Sequence, residues 1–317
     1  MLQYFLYCGV FCFFISQSET KFYNIILDYA EKICKDEDQI GFFCIMMNHI
    51  IPTATQQLLD LLALTPLTAQ RFMGQSLRLF GKRVFGGQIL AQAIMAAAQS
   101  CDRPVNSLHA YFIRPGDSDF PIEYEVTCLR DGQKFSLRQV HAYQHGQLIF
   151  TALISMSIEY DEFDYQATVP PYPTQPPQLR HQYATTFHMH IEPQAFQQTT
   201  EDVESEYVEY AKSYQALTAE YDRPIYHQAI LAYYSDYSLL NIALRQLNLD
   251  ESDHNLMSAS LDHSLYFHRD FRIDEWLRYQ LHCPTAQHGR GLNQGTIWQN
   301  NQLVCSAVQE SLIRLQK

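Results

Sequence analysis

Tyr233-Tyr-Ser-Asp-Tyr-Ser-Leu-Leu-Asn-Ile-Ala-Leu-Arg-Gln-Leu247 is the stretch whose reading decides the fold. Leu240, Ala243, Leu244 and Leu247 recur at i, i+3, i+4 and i+7, the stripe of a helix that packs on a sheet. Ser235 or Asp236 stands just ahead of that stripe as an N-cap, so a helix is expected to begin there with a carboxylate at its positive end. Capping alone would account for Asp236.

The same pattern occurs earlier in the chain. A shift of 150 residues lays Leu90, Ala93, Ile94 and Ala97 on Leu240, Ala243, Leu244 and Leu247. The first of these helices follows Arg83-Val-Phe-Gly-Gly-Gln88, and its many alanines let a sheet approach closely. Four β-rich runs come next, over 108–113, 122–129, 135–142 and 148–157, separated by Pro115-Gly116, Asp131-Gly132 and His145-Gly146. A shift of 155 residues then places Tyr111-Phe112 on Tyr266-Phe267, Arg114 on Arg269, Tyr124 on Tyr279, Gln139 on Gln294 and Ala152 on Ala307. The five-residue difference falls in the helix-to-strand loop.

Each half therefore reads as one helix followed by an antiparallel sheet, an α+β class. Two such sheets joined edge to edge give one long curved sheet and a pseudo-dimer, which removes exposed strand edges. The expected divisions are an N-terminal extension over 1–50, a first repeat over 51–160, a Pro-rich and acidic linker over 161–228 and a second repeat over 229–317. The extension opens with an apolar run over 2–15, too short for a spanning helix and without a preceding Lys or Arg, so no membrane anchor is read there. A functional start at Met46 or Met47 is the alternative, since the composition changes at that point.

Composition bounds the function. With 22 Lys and Arg against 34 Asp and Glu, the formal charge of −12 argues against nucleic-acid binding. Eight scattered cysteines include no C-x-x-C pair and no zinc spacing, which points to reduced thiols in a cytoplasmic protein rather than to disulfides or a metal site. His188 and His190 share a strand face, but no third ligand is in view. Gly289-Arg-Gly291 with Gly295 has the wrong spacing for a dinucleotide fingerprint, and no Gly-x-Ser-x-Gly elbow is present. The terminal Leu-Gln-Lys does not match the Ser-Lys-Leu type of peroxisomal address.

The halves differ where polar groups should be buried. Asp236 corresponds to Gly86, Ser260 to Val105 and Gln309 to Ile154. Three polar groups buried in one half only would cost stability unless they satisfy one another or a ligand. Their joint occurrence favours a site.

At these residues the chain resembles the acyl-CoA thioesterase II family, the double hot-dog thioesterases. The matching stretches are Phe72-Met-Gly-Gln-Ser76, Arg83-Val-Phe-Gly-Gly-Gln88, Tyr111-Phe-Ile-Arg-Pro-Gly-Asp117, Tyr233-Tyr-Ser-Asp236, Leu261-Asp-His-Ser-Leu-Tyr-Phe-His-Arg269 and Val308-Gln-Glu310. The resemblance implies a catalytic set of Asp236, Ser260 and Gln309, with Ser260 standing where Thr is commoner in bacterial members. It implies hydrolysis of medium- to long-chain acyl-CoA by a water that Asp236 activates while Ser260 and Gln309 hold it, with a backbone N–H at a helix N-terminus meeting the oxyanion. His263 is read as a strand residue. Arg269, Arg278 and Arg290 are candidates for the coenzyme A phosphates. No cofactor or metal is implied, and the partners expected are acyl-CoA and further copies of the chain as a homo-oligomer. The alternatives are a hot-dog acyl-CoA hydratase or dehydratase and a non-catalytic acyl-CoA-binding module.

Overall fold

The computed structural model describes residues 54–79, 81–158, 163–177, 189–194, 207–249 and 255–315. The first fifty residues and His188 lie outside these. In chain order the elements are α1 over 54–62, β1 (Thr65–Pro66), β2 (Arg71–Gly74), α2 (Gly86–Ala98), β3 (Val105–Phe112), β4 (Ile122–Asp131), β5 (Phe135–Gln144) and β6 (Gln147–Ser157). After these come β7 (Met189–Gln194), β8 (Tyr207–Ser213), α3 (Pro224–Gln246), β9 (Leu256–Ser260), β10 (Asp262–Phe267), β11 (Leu277–Gln287), β12 (Arg290–Gln299) and β13 (Gln302–Leu315). The strands form one antiparallel sheet in the order β1-β2-β4-β5-β6-β3-β10-β13-β12-β11-β8-β7, with β9 added on β13.

That order is a palindrome of repeats. The half β2-β4-β5-β6-β3 meets β10-β13-β12-β11-β8, and β4, β5 and β6 begin 155 residues before β11, β12 and β13. The seam locates the relation in space. Where β3 pairs with β10, His109 stands opposite Ser264, Tyr111 opposite Asp262 and Ser107 opposite Tyr266. His109 and Ser264 are the same repeat position, because 109 + 155 = 264. An antiparallel pair centred on equivalent residues has a local two-fold axis through that centre, so the register seen in sequence and the register of the seam agree. Side chains repeat too. Gln144 exchanges two hydrogen bonds with the backbone of Asp117, and Gln299, 155 positions later, does the same with Arg272.

Hairpin turns follow from local chemistry. His145 and Gly146 have φ of 49° and 72°, and their repeat partners Asn300 and Asn301 have 50° and 64°. Two successive left-handed residues make the turn that matches strand twist.

The two long helices pack on the strands of this sheet and on each other. Residues 87–97 of α2 are buried without a break, and so are residues 227–236 of α3. This burial overturns the expected start of the second helix. α3 begins at Pro224, which fits the first helical position because it has no N–H to leave unpaired, and Asp236 sits mid-helix rather than at the cap. Burial on all sides leaves no apolar stripe over 227–236, so periodicity registers only the later, one-sided part of the helix. The expected linker is corrected as well, since β7 and β8 within it extend the sheet beyond β11.

α2 and α3 cross at backbone contact. A Cβ added to Gly87 would lie 2.2 Å from the Tyr233 carbonyl oxygen and 2.5 Å from the Phe85 ring. Phe85 in turn packs edge-on against Tyr233, centroids 5.2 Å apart. From the far side, Glu209 on β8 accepts the Tyr234 hydroxyl at 2.6 Å and the Ser238 hydroxyl at 2.7 Å. Those residues lie about 200° round the helix from Asp236, at about 100° per residue. Glu209 thus clamps α3 from behind while the glycines meet it in front.

Replacing Gly87 by alanine tests this contact. The gain in helix propensity, about 1 kcal/mol, is smaller than the cost of parting two backbones. Thermal denaturation of Gly87→Ala should show a loss of about 2 kcal/mol or more. An unchanged or raised melting temperature would mean the helices are not held this closely.

Candidate active site

Asp236 enters the space between the helices where Gly86 leaves room for it. A Cβ at Gly86 would stand 2.5 Å from Asp236 Oδ2 and 2.9 Å from the Phe112 ring. The Gly87 backbone N–H donates to the carboxylate. The positive helix end that meets Asp236 is therefore that of α2, not that of its own helix. Gly86 and Asp236 are equivalent repeat positions, 86 + 150 = 236, and they face each other.

Two further groups converge on Oδ1. Ser260 at the end of β9 donates its hydroxyl at 3.0 Å, and Gln309 on β13 donates its amide nitrogen at 2.5 Å. The three residues that the repeat comparison singled out thus meet at one carboxylate oxygen. One expected detail changes: both donors are spent on the carboxylate. Gln309 gives its second N–H to His263 Nδ1 at 3.0 Å, which leaves none for a water. Ser260 keeps its lone pairs.

Burial sets the proton affinities. Loss of solvent raises the Asp236 carboxyl to about 6, against the lowering effect of the hydrogen bonds from Ser260, Gln309 and Gly87. His263 on β10 is wholly buried, 3.7 Å from Asp236 Oδ1, and burial pushes its imidazole down to about 3. It is neutral at physiological pH beside an ionised carboxylate. Sequence reading took it for an ordinary strand residue, and it proves to belong to the cluster. Gly86, Gly87 and Phe112 were quoted in the motifs without a role at the site, and only the helix crossing assigns them one.

Two of the three candidate arginines, Arg278 and Arg269, are engaged elsewhere. Arg278 is 1% exposed and donates to the carbonyls of Tyr172 and Pro173, with its guanidinium over the Trp298 ring. That enclosure corrects its expected role as a phosphate ligand reached from solvent. Arg269 pairs with Asp164 and with the Leu303 carbonyl. Arg290 is exposed and 3.1 Å from Glu310. Among the described residues no three His, Cys, Asp or Glu side chains gather as a metal would require, and no helix is long and apolar enough to cross a membrane.

Comparison with known proteins agrees with this arrangement. The family model described as acyl-CoA thioesterase matches residues 179–312, and the one described as acyl-CoA thioesterase N-terminal domain matches residues 76–157. Acyl-CoA thioesterase 2 of Haemophilus influenzae is 33% identical over 276 residues, covering 81% of this chain and 96% of its own. Human acyl-coenzyme A thioesterase 8 is 33% identical over 286 residues, covering 80% of this chain and 88% of its own. The crystal structure of an acyl-CoA thioesterase II from Mycobacterium marinum superposes with a TM-score of 0.70 at 30% identity, over 81% of this chain and 97% of that one. Together with the paired helix-and-sheet repeats and the polar cluster around Asp236, these matches place the chain in the acyl-CoA thioesterase II family.

Proposed function

We propose that the chain hydrolyses medium- to long-chain acyl-CoA to a fatty acid and free coenzyme A at Asp236, with Ser260 and Gln309. The observation that carries this reading is the convergence of two side-chain donors on one oxygen of a buried carboxylate, at the amide end of a second helix. Oδ1 is saturated, so Oδ2 is the oxygen left to take a proton from water. The water is steadied by a lone pair of Ser260 and attacks the thioester carbon. A C–O bond forms as the proton passes to Oδ2, and the negative charge that collects on the former carbonyl oxygen is met by the positive N-terminal end of α2. Collapse breaks the C–S bond, and the coenzyme A thiolate leaves with little assistance before Asp236 returns its proton to the medium. Phe112, which lies against Gly86 and packs on Phe150, gives the acyl group an apolar neighbour. Arg290 is the arginine left open to a coenzyme A phosphate.

The carboxyl value also assigns a pH range. A base that titrates at about 6 is ionised above that pH, so kcat/KM should fall on the acid side of about pH 6. Asp236→Asn keeps the shape and removes the base. Thiol release from a panel of acyl-CoA esters should drop by about 100-fold or more in this variant, and an equally fast variant would remove Asp236 from the mechanism.

Stability should move the other way. The folded value of about 6 lies above the ordinary 3.8, so the folded protein binds this proton more tightly than the unfolded chain does. That contribution is complete below 3.8 and is lost as pH rises through 6. Asp236→Asn is therefore expected to be more stable than the parent by about 1–3 kcal/mol at pH 8 in urea unfolding, with the difference closing toward pH 4. A gap that is the same at both pH values would show that the carboxylate carries no such burden.

A further inference from the structure

Five side chains beside Asp236 are hydrogen-bonded in series with Gln309 at the centre, and their donors run in one direction. Asn293 Nδ2 donates to Ser311 Oγ at 2.9 Å, and Ser311 Oγ donates to Gln309 Oε1 at 3.1 Å. Asn293 Oδ1 has no partner among the described residues, so Asn293 enters the series as a donor only. Gln309 Nε2 then gives one hydrogen to Asp236 Oδ1 and the other to His263 Nδ1. An amide nitrogen only donates, so Nδ1 accepts and the neutral imidazole carries its hydrogen on Nε2. That hydrogen meets Ser235 Oγ at 3.0 Å, and the Ser235 hydroxyl passes its own to the Ala232 carbonyl at 2.9 Å, inside α3. Asn293, Ser311, Gln309, His263 and Ser235 are all fully buried, so no solvent competes for these bonds.

Direction matters because an amide is nearly symmetric in shape. Turned over, Gln309 would set its oxygen against the carboxylate of Asp236, acceptor against acceptor. While Asp236 is ionised it holds the NH2 itself. Once it has taken a proton from water, that hold weakens, and the neighbours decide which way the amide faces.

We propose that Ser311, supported by Asn293, and His263, supported by Ser235, are positioning residues that lock the Gln309 amide with its NH2 on Asp236 throughout the reaction. Oδ1 stays occupied and Oδ2 stays the reactive oxygen. This inference rests on the reading of Gln309 as a working group of the hydrolase site.

Wild-type protein labelled with 15N in histidine gives the first test. The His263 ring should show a bare Nδ1 and a protonated Nε2 between about pH 5 and 8. A hydrogen on Nδ1 would place Oε1 of Gln309 against the imidazole and overturn the proposal. Kinetics on an acyl-CoA ester give the second. Ser311→Ala should lower kcat about tenfold with KM within about twofold, and should move the acid limb of kcat/KM to higher pH because Asp236 loses a well-held donor. Ser311→Thr, which restores the hydroxyl, should recover both. Gln309→Ala separates the two levels. If it is as fast as wild type, the reading of Gln309 itself fails. If it is slow while Ser311→Ala keeps the wild-type kcat and acid limb, only the relay is wrong. Should Ser311→Ala not fold, the tautomer measured in the wild-type protein decides.

Discussion

Two buried helices cross where one of them has no side chain to keep them apart. Gly86 and Gly87 bring the first turn of α2 onto α3 beside Tyr233 and Asp236, closer than any residue with a Cβ would allow. This contact sets the spacing of the two repeats. It also aims the Gly87 amide, at the N-terminal end of one helix, at a carboxylate of the other, the arrangement that makes a charged group tolerable there.

The local two-fold explains why the polar groups occur in one half only. Positions 86 and 236 are equivalent, and they meet. A carboxylate at both would force two like charges into van der Waals contact in a site already short of solvent, which costs several kcal/mol. Glycine in one repeat is therefore the condition for aspartate in the other. Val105 and Ile154 follow the same logic, filling with apolar volume what Ser260 and Gln309 fill with donors.

Burial gives the carboxylate its chemistry and its cost together. The same loss of solvent that raises Asp236 to about 6 depresses His263 to about 3, so an acid and a base only 3.7 Å apart remain one charged and one neutral at physiological pH. An ion pair would have been the naive expectation for an Asp beside a His. Instead Gln309 bridges them through its two N–H groups, and the site holds a single net charge.

Much of this was legible in the amino-acid order, because a repeat is a comparison the chain makes with itself. The shifts of 150 and 155 residues pointed to a repeated helix-and-sheet unit and to the three polar departures, and the seam pairing of His109 with Ser264 falls on the same register. The true start of α3 was not legible. Helix periodicity records a boundary between core and solvent, and a helix buried on every side has none, so Asp236 passed for a cap. The roles of Gly86, Gly87 and His263 were equally hidden, since each acts on a residue more than 25 positions away in the chain. Alanine-rich and β-rich patterns, with their turns, are local preferences and were determined by sequence alone. Which amides face the carboxylate, which arginines are enclosed and which way an amide points were decided only by tertiary structure, because hydrogen bonding and desolvation depend on neighbours that only folding supplies.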